Sequence, residues 1–358
     1  MPSMKQIARL ADVSLGTVSH VINNSAKVRE PLRLRVLEAV ELLNYQPSQL
    51  ARGLRRDKTN IIGMIIPDIT NPFFPAVVRG AEDAAFSSGY RLLLCNADNN
   101  QAKEISYIKE LRTYLPAGII IIPSNLNDVS MKDGNLTGRS AVVCLDRIPR
   151  DWAGDAVTIN NQDGAEQATR HLISLGHLRI ATVTGPLHLT NAHDRLKGFH
   201  SALKEAKIII PADYVQESSF DRAGGYSAAM KLLKMDSRPT AIFAQNDLMA
   251  MGVVQAIRES GFACPKDISL IGFDGLDILE LIDPPISSVH QPGYQLGAMG
   301  VQLLVARINN PETPFSHHVL PTELLLRASA TPPQCAHSGK ATRVPIVHHK
   351  KRITKAAH

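Results

Sequence analysis

The sequence lacks the short motifs by which nucleotide enzymes and common hydrolases are usually detected. Its 358 residues contain no G-x-G-x-x-G, no G-x-x-x-x-G-K-[ST], no H-E-x-x-H and no G-x-S-x-G. Such motifs supply a phosphate cradle, a pair of metal ligands or an exposed nucleophile. Because the standard routes to catalysis are missing, we expect that the chain is not an enzyme, has no catalytic residues and carries no cofactor.

Cysteines and long apolar runs are also scarce. The four cysteines are Cys95, Cys144, Cys264 and Cys335, and no two have C-x-x-C spacing, so we predict reduced thiols and no metal site. No apolar run approaches the ~20 residues that span a bilayer, and we expect no membrane partner. The N-terminus has no apolar signal-peptide core, which predicts a cytoplasmic protein.

Positive charge is concentrated at the two ends of the chain. The formal net charge is +6, yet residues 1–60 hold ten Lys and Arg against five Asp and Glu, and residues 331–358 hold six against none. The stretch 61–330 is therefore net acidic. A basic head on an acidic body predicts that a polyanion is bound at one end.

The beginning of the chain is predicted to form three short helices. Ser3 and Gln6 have the spacing of a capping box that opens the first helix. Ser14 is expected to cap a second helix over residues 15–23. Apolar residues at helical spacing predict a third helix over about 30–44.

From Thr59 onward, apolar runs rich in Ile and Val alternate with amphipathic helical stretches. Continuous apolar strands alternating with helices predict parallel sheets that are covered on both faces. The strands are too many for one small sheet, so we predict two doubly wound lobes with a ligand at the carboxyl ends of their strands. The predicted strands are 61–67, 90–96, 118–123, 141–146, 180–185, 241–247 and 268–275. The predicted helices between them include 75–88, 101–114, 163–175, 192–206, 222–235 and 248–260.

The second predicted helix has two different faces on a helical wheel. One face carries Val18, Val21 and Ile22. The other carries Leu15, Gly16, Ser19 and His20. The apolar face can pack on the first helix while the other enters a major groove of DNA; a small helical bundle without DNA contacts is the alternative at this point.

The motifs in this region resemble those of a known family. The segment IARLADVSLGTVSHVINNSAKVREPLRLRVLEAVELLNYQPSQLARGL is similar to the headpiece of the lactose-repressor (LacI/GalR) family through V-S-x-x-T-V-S-H-V-I-N and N-Y-x-P-S-x-x-A-R-x-L. The resemblance extends to about residue 327, and His20 is most like the purine and ribose branch. It implies a sequence-specific DNA-binding repressor. The implied DNA contacts are Ser14, Leu15, Gly16, Thr17, Ser19, His20 and Asn23.

Within that set, Leu15, Gly16 and His20 are implied to face base edges. Leu15 and Gly16 stand where polar residues are common in the branch, and they offer apolar contact to a thymine methyl or close approach. Thr17, Ser19 and Asn23 are implied to contact phosphates.

The resemblance also gives the linker a role. In the family it becomes a hinge helix in the minor groove when two subunits pair on DNA. Leu54 matches the leucine that wedges into a central base step, and Ala51 and Arg55 match its flanking contacts. Unstacking that step costs a few kcal/mol, which the contacts of the bent duplex offset. The implied partners are pseudo-palindromic operator DNA and a second subunit, in a homodimer or a tetramer.

Polar and aromatic residues stand where predicted strands end. Asp146 and Arg147 follow one apolar strand and Asn246 follows another, and such strand ends are where α/β proteins bind ligands. Phe73 and Phe74 stand at a strand-to-helix junction, and we expect them to wall a cleft rather than to lie together in the core.

The body of the chain resembles the periplasmic ribose-binding proteins over nearly all of residues 60–310. The shared motifs are N-P-F-F, L-D-R, F-D-R, F-A-Q-N-D and G-F-D-G. The resemblance implies that Phe73, Phe74 and Phe220 stack on a sugar ring. It implies hydrogen bonds to the sugar from Asn71, Asp146, Arg147, Arg195, Asn246, Asp274 and Gln291. Carboxylates accept, and guanidinium and amide groups donate, as vicinal hydroxyls require.

Two positions favour a sugar over a nucleobase. Purine repressors carry an aromatic residue after the strand-end Asp and an Arg after the G-P turn, whereas this chain has Arg147 and Leu189 there. The predicted effector is therefore ribose or a related monosaccharide, and a purine corepressor is the alternative. A transport-type sugar-binding protein is a further alternative, which the basic head argues against.

The predicted fold class is therefore α/β behind an all-α helix-turn-helix headpiece and hinge helix. The predicted boundaries are 1–47 for the headpiece, 48–58 for the hinge, 59–330 for the two-lobed domain (lobe 1 about 59–160 plus 291–330, lobe 2 about 161–290) and 331–358 for a disordered basic tail.

Overall fold

A computed structural model of the chain describes three helices at the N-terminus and two α/β lobes. The described residues are 2–23, 27–45, 59–124, 140–149 and 152–334. The predicted hinge helix, with Ala51, Leu54 and Arg55, lies outside them, as does nearly all of the predicted basic tail.

The headpiece consists of three helices around a small apolar core. They are α1 (Met4–Leu10), α2 (Leu15–Asn23) and α3 (Glu30–Leu42). Ser3 and Gln6 form the predicted capping box, and Ser14 Oγ accepts a hydrogen bond from the Thr17 amide at 3.1 Å. The core is Ile7, Ala11, Val18, Val36 and Ala39.

The two lobes contain twelve described strands and seven described helices. The strands are β1 (Ile61–Ile66), β2 (Arg91–Asn96), β3 (Gly118–Ile121), β4 (Ala141–Leu145), β5 (Asp155–Ile159), β6 (Ile180–Thr184), β7 (Val215–Glu217), β8 (Ala241–Ala244), β9 (Ser269–Asp274), β10 (Ser287–His290), β11 (His317–Leu320) and β12 (Glu323–Leu325). The helices are α4 (Phe73–Ser87), α5 (Gln101–Thr113), α6 (Asn161–Ser174), α7 (Thr190–Glu205), α8 (Arg222–Leu233), α9 (Asp247–Glu259) and α10 (Gly293–Asn309).

Each lobe is built on one six-stranded sheet. The first sheet has the order β11-β5-β4-β3-β1-β2 and the second β12-β10-β9-β8-β6-β7. Neighbouring strands are parallel except for the antiparallel pair of β10 and β12. Apolar clusters cover both faces of each sheet, because the central strands are buried along their length. The predicted doubly wound α/β fold is confirmed.

The chain crosses between the lobes three times, and the third crossing changes a predicted boundary. The crossings follow β5, β10 and β11. We expected residues 291–330 to belong entirely to lobe 1, but β12 pairs with β10 in the second sheet. The predicted start of the tail at 331 is also too early, since the Thr331 carbonyl lies 2.9 Å from His177 Nε2 and accepts from Ser269 Oγ.

Candidate functional site

A polar cavity, partly open to solvent, lies between the lobes at the carboxyl ends of the strands. All ten residues that the sequence predicted as ligand contacts line it, from both lobes. The full lining is Asp68, Asn71, Phe73, Phe74, Asn99, Asp146, Arg147, Asn191, Arg195, Phe220, Asn246, Asp274 and Gln291. The sheet topology brings them together because both strand orders reverse beside the cavity, between β1 and β3 and between β6 and β8.

The aromatic wall begins where β1 leads into α4. Asn71 Oδ1 accepts from the Phe73 amide at 3.1 Å, which fixes the turn. Phe73 and Phe74 meet edge to face with centroids 5.3 Å apart. Both are only 4% exposed and belong to the core of the first lobe while lining the cavity. The expectation that they would not both lie in the core is wrong, because the cavity floor and the core share this surface.

Asp146 and Arg147 follow β4 and are nearly fully buried. Asp146 adopts a left-handed backbone conformation (φ 59°), an uncommon arrangement outside glycine that often marks functional turns. Its Oδ2 accepts from Asn191 Nδ2 of the other lobe at 3.3 Å and lies 3.6 Å from Arg147 Nε. The Arg147 guanidinium donates to the Pro123 carbonyl at 3.4 Å.

Arg195 projects into the cavity from α7 of the second lobe. Its Nε donates to Asn161 Oδ1 at 2.7 Å and its Nη1 to the Gln245 carbonyl at 2.5 Å. The guanidinium lies 3.8 Å above the Phe273 ring, a cation–π contact that is strengthened by burial. These contacts hold Arg195 in one orientation before any ligand arrives.

Phe220 forms the aromatic wall of the second lobe. Gly185 leaves room for it, because a Cβ there would lie 2.3 Å from the Phe220 ring. Leu189 packs against the same ring. Asn246 caps α9 and donates its amide to the Phe220 carbonyl at 3.1 Å, so the position of the ring is tied to the polar lining.

Asp274 and Gln291 face each other at the second crossing between the lobes. Gln291 Nε2 donates to Asp274 Oδ1 at 2.6 Å, and Arg195 Nη1 lies 4.0 Å from the same oxygen. Burial raises the pKa of Asp274 well above its usual range, and the nearby Asp247 carboxylate raises the pKa further. Arg195 and Gln291 oppose that shift.

Four buried polar atoms on the cavity wall have no hydrogen-bond partner. They are Asp146 Oδ1, Arg147 Nε, Asp274 Oδ2 and Gln291 Oε1, out of six such side-chain atoms among the described residues. An unpaired buried polar group costs roughly 1–3 kcal/mol. Three acceptors and one donor therefore point to a small ligand that is rich in hydroxyl groups.

Three residues of the cavity lining were not predicted from the sequence, namely Asp68, Asn99 and Asn191. Asn191 bridges the lobes through Asp146, but no local pattern marks an asparagine in the first turn of α7. Asp247 was visible at a strand end, yet it lies behind the cavity lining, where Ser288 Oγ donates to it at 2.6 Å and the Leu276 amide at 2.8 Å.

The exposed surface of α2 carries the residues predicted to contact DNA. Leu15 is 45% exposed, Ser14, Gly16 and His20 are exposed, and Thr17, Ser19 and Asn23 are half-buried. Asn23 Nδ2 donates to the Ser19 carbonyl at 2.8 Å. Val18, on the opposite face, is fully buried, so α2 packs through one face and presents the other.

The described residues contain neither a candidate metal site nor a membrane-spanning helix. No group of three or more His, Cys, Asp or Glu side chains is arranged to hold a metal ion. No helix in the described part of the chain combines the length and apolarity that crossing a membrane requires.

A three-helix headpiece joined to a two-lobed binding domain defines a class of protein, the ligand-responsive DNA-binding regulators. Residues 3–48 match the model of "Bacterial regulatory proteins, lacI family", and residues 169–330 match "Periplasmic binding protein-like domain". The chain belongs to the LacI family of bacterial transcriptional repressors, as the similarity to curated relatives also shows.

Curated relatives align over nearly the whole chain. The ribose operon repressor of Escherichia coli (strain K12) is 37% identical over 92% of this chain and 100% of its own length. The HTH-type transcriptional repressor PurR of Aliivibrio salmonicida is 36% identical over 87% of this chain and 93% of its own. Because these relatives are transcriptional repressors, the prediction that the chain is not an enzyme is confirmed.

Solved structures agree with the fold. The lac repressor dimer bound to operator and the anti-inducer ONPF is 25% identical with a TM-score of 0.82, covering 92% of this chain and 99% of that one. A LacI family transcriptional regulator from Enterococcus faecium with bound ribose is 36% identical with a TM-score of 0.68, covering 76% of this chain and 99% of that one.

Proposed function

We propose that this repressor controls a sugar-catabolic operon and that ribose or a closely related monosaccharide, bound between the lobes, sets its affinity for the operator. The observation that carries the proposal is the set of four unpaired polar atoms on the cavity wall. The ribose bound to the Enterococcus faecium relative supports it.

The cavity chemistry favours a sugar over a planar base. Phe73, Phe74 and Phe220 provide apolar surfaces for the C–H faces of a sugar ring. Asp146 and Asp274 accept from hydroxyls, and Arg147 donates to them. Arg147 occupies the position where purine repressors place an aromatic residue, and Leu189 is buried against Phe220.

Calorimetry of the full chain tests the effector. D-ribose, D-xylose, L-arabinose, D-glucose and D-galactose form the sugar panel, and hypoxanthine and guanine form the purine panel. We expect one pentose or closely related hexose to bind with 1:1 stoichiometry per chain and both purines to give no heat. Tight purine binding without sugar binding would replace this proposal by the corepressor alternative suggested by the PurR relative.

A matched pair of variants links that binding to the cavity. Asp146→Asn removes a charge from the wall, whereas Asp236→Asn removes one from the exposed surface. We expect only the first to weaken sugar binding, by about 10-fold or more, because hydrogen bonds to a charged group contribute about 1.5–3 kcal/mol. Equal affinities for the two variants would place the sugar elsewhere.

The proposed DNA-binding unit is the headpiece, with α2 in the major groove and the 48–58 linker in the minor groove of a pseudo-palindromic operator. Two copies of the chain are proposed to bind together in the cytoplasm, since an operator with two half-sites requires two headpieces. A gel shift with operator DNA, repeated with the sugar that binds, measures the sign and size of the coupling. Identical operator affinity with and without that sugar would reject control by the cavity.

A further inference from the structure

Glu104 is a buried carboxylate of the first lobe that does not line the cavity. It lies in the first turn of α5, is 1% exposed, and its Oε2 accepts from the Ser124 amide at 2.7 Å. Burying a carboxylate is costly unless a positive charge compensates it. A nearby positive charge would therefore stabilise the Glu104 carboxylate.

Arg147 is a cationic group within electrostatic reach of Glu104. Ser124, which Glu104 binds, directly follows Pro123, whose carbonyl accepts from Arg147 Nη1 at 3.4 Å. Burial lowers the pKa of Arg147, and the carboxylates of Asp146, Glu104 and Asp274 oppose that shift. Glu104 therefore affects the electrostatics of Arg147, although neither of these two hydrogen bonds joins the two side chains directly.

We infer that Glu104 is a positioning residue for the cavity: it holds the 123–124 segment and the guanidinium of Arg147 so that Arg147 Nε points at the ligand. The inference rests on the proposed function, because it assigns Arg147 to the sugar. Binding groups work only when held to within about 0.5 Å of the productive geometry. Arg147 Nε lies 3.6 Å from Asp146 Oδ2 but has no hydrogen-bond partner.

Charge removal at Glu104 tests the inference. Glu104→Gln is nearly isosteric and keeps an oxygen that can accept from the Ser124 amide, so it removes mainly the charge. Titrating the full-length variant with D-ribose is expected to show binding about 10-fold weaker than wild type. Glu110→Gln is the matched control, because Glu110 lies exposed on the same helix, and it should bind as wild type does.

A double-mutant cycle separates positioning from general structural damage. In an Arg147→Met background, Glu104→Gln should cause no further loss of ribose affinity, since its effect passes through Arg147. An equal loss in both backgrounds, or no loss in the wild-type background, overturns the inference. Failure of wild type to bind any panel sugar instead rejects the proposed function itself.

A conservative variant keeps the test valid if the glutamine variant does not fold. Glu104→Asp retains the charge but shortens the side chain by one methylene, and we expect an affinity between those of wild type and Glu104→Gln. Operator binding without sugar, measured by gel shift, reports whether each variant is folded. If Glu104→Asp is folded, its loss of ribose affinity in the wild-type background should exceed that in the Arg147→Met background. An equal or larger loss in the Arg147→Met background would contradict the role of Arg147.

Discussion

At the scale of single residues, Asp247 and Asp274 are both buried at the end of the second lobe's sheet but differ in their hydrogen bonds. Both oxygens of Asp247 accept from protein donors, whereas Asp274 Oδ2 has no partner. A satisfied carboxylate supports the fold, and an unsatisfied one is available to a ligand. Sequence position alone does not separate them, because both stand at strand ends.

Asp274→Asn is expected to weaken sugar binding while leaving the fold at least as stable. The substitution removes a charge-assisted acceptor, which predicts a loss of roughly 10- to 100-fold in affinity. It also removes a buried charge close to Asp247, so the melting temperature should not fall. Calorimetry and thermal denaturation measure the two effects, with exposed Asp277→Asn as the control; a large drop in melting temperature would mean that Asp274 is structural.

Asp247 predicts a pH dependence of stability. Burial raises its pKa from 3.8 to about 6, so the folded state binds this proton more tightly than the unfolded state. The resulting stabilisation is fully present below about pH 4 and is lost as pH rises through about 6. The free energy of unfolding of wild type, measured between pH 4 and 7, should therefore fall relative to that of Asp247→Asn. A constant difference across this range would show that the pKa is not raised.

At the scale of elements, α2 shows which helix bounds can be predicted from capping residues and hydrophobic periodicity. Its bounds agree with the predicted 15–23 because Ser14 supplies the cap and the apolar residues recur at helical spacing. Helix α10 and strands β5, β7, β10, β11 and β12 were not predicted. Four of those strands are only three or four residues long, and β11 begins with two histidines. Their local hydrophobic pattern is therefore weak.

The two faces of α2 should respond differently to truncation. Val18→Ala removes fully buried methyl groups and should destabilise the headpiece by about 2 kcal/mol. Leu15→Ala alters an exposed side chain and should change stability by less than about 0.5 kcal/mol, yet weaken operator binding. Hydrogen exchange of the α2 amides and gel shifts measure the two effects; unchanged operator affinity for Leu15→Ala would remove Leu15 from the DNA interface.

At the scale of the whole molecule, a cavity shared by two lobes is joined to a basic headpiece through a linker. Three crossings connect the lobes, and Gln291 stands on one of them while it bonds Asp274. We propose that a ligand that pairs the unsatisfied atoms of both lobes favours their closure. Closure can then change the geometry of the linkers that the resemblance assigns to the minor groove.

The proposed operator contacts predict two separable responses. Affinity should fall on the order of 10³-fold between 50 and 200 mM salt if six or more phosphates are contacted. Leu54→Ala should abolish tight binding through loss of the wedge while leaving sugar binding intact. Fluorescence anisotropy with labelled operator across salt concentrations measures both, and an affinity of Leu54→Ala equal to that of wild type would refute the wedge.

The sequence alone determined the helical headpiece and the two doubly wound lobes, because capping and periodicity are local signals. Strand-end positions pointed to Asp146, Arg147 and Asn246, and the resemblance to ribose-binding proteins supplied most of the other cavity-lining residues. Only the tertiary structure assigned β12 to the second sheet, brought Asn191 to Asp146, and placed Phe73 and Phe74 in core and cavity at once. Each of these depends on which distant segment packs alongside. A local pattern reports that a residue is buried, but not which residue it is buried against.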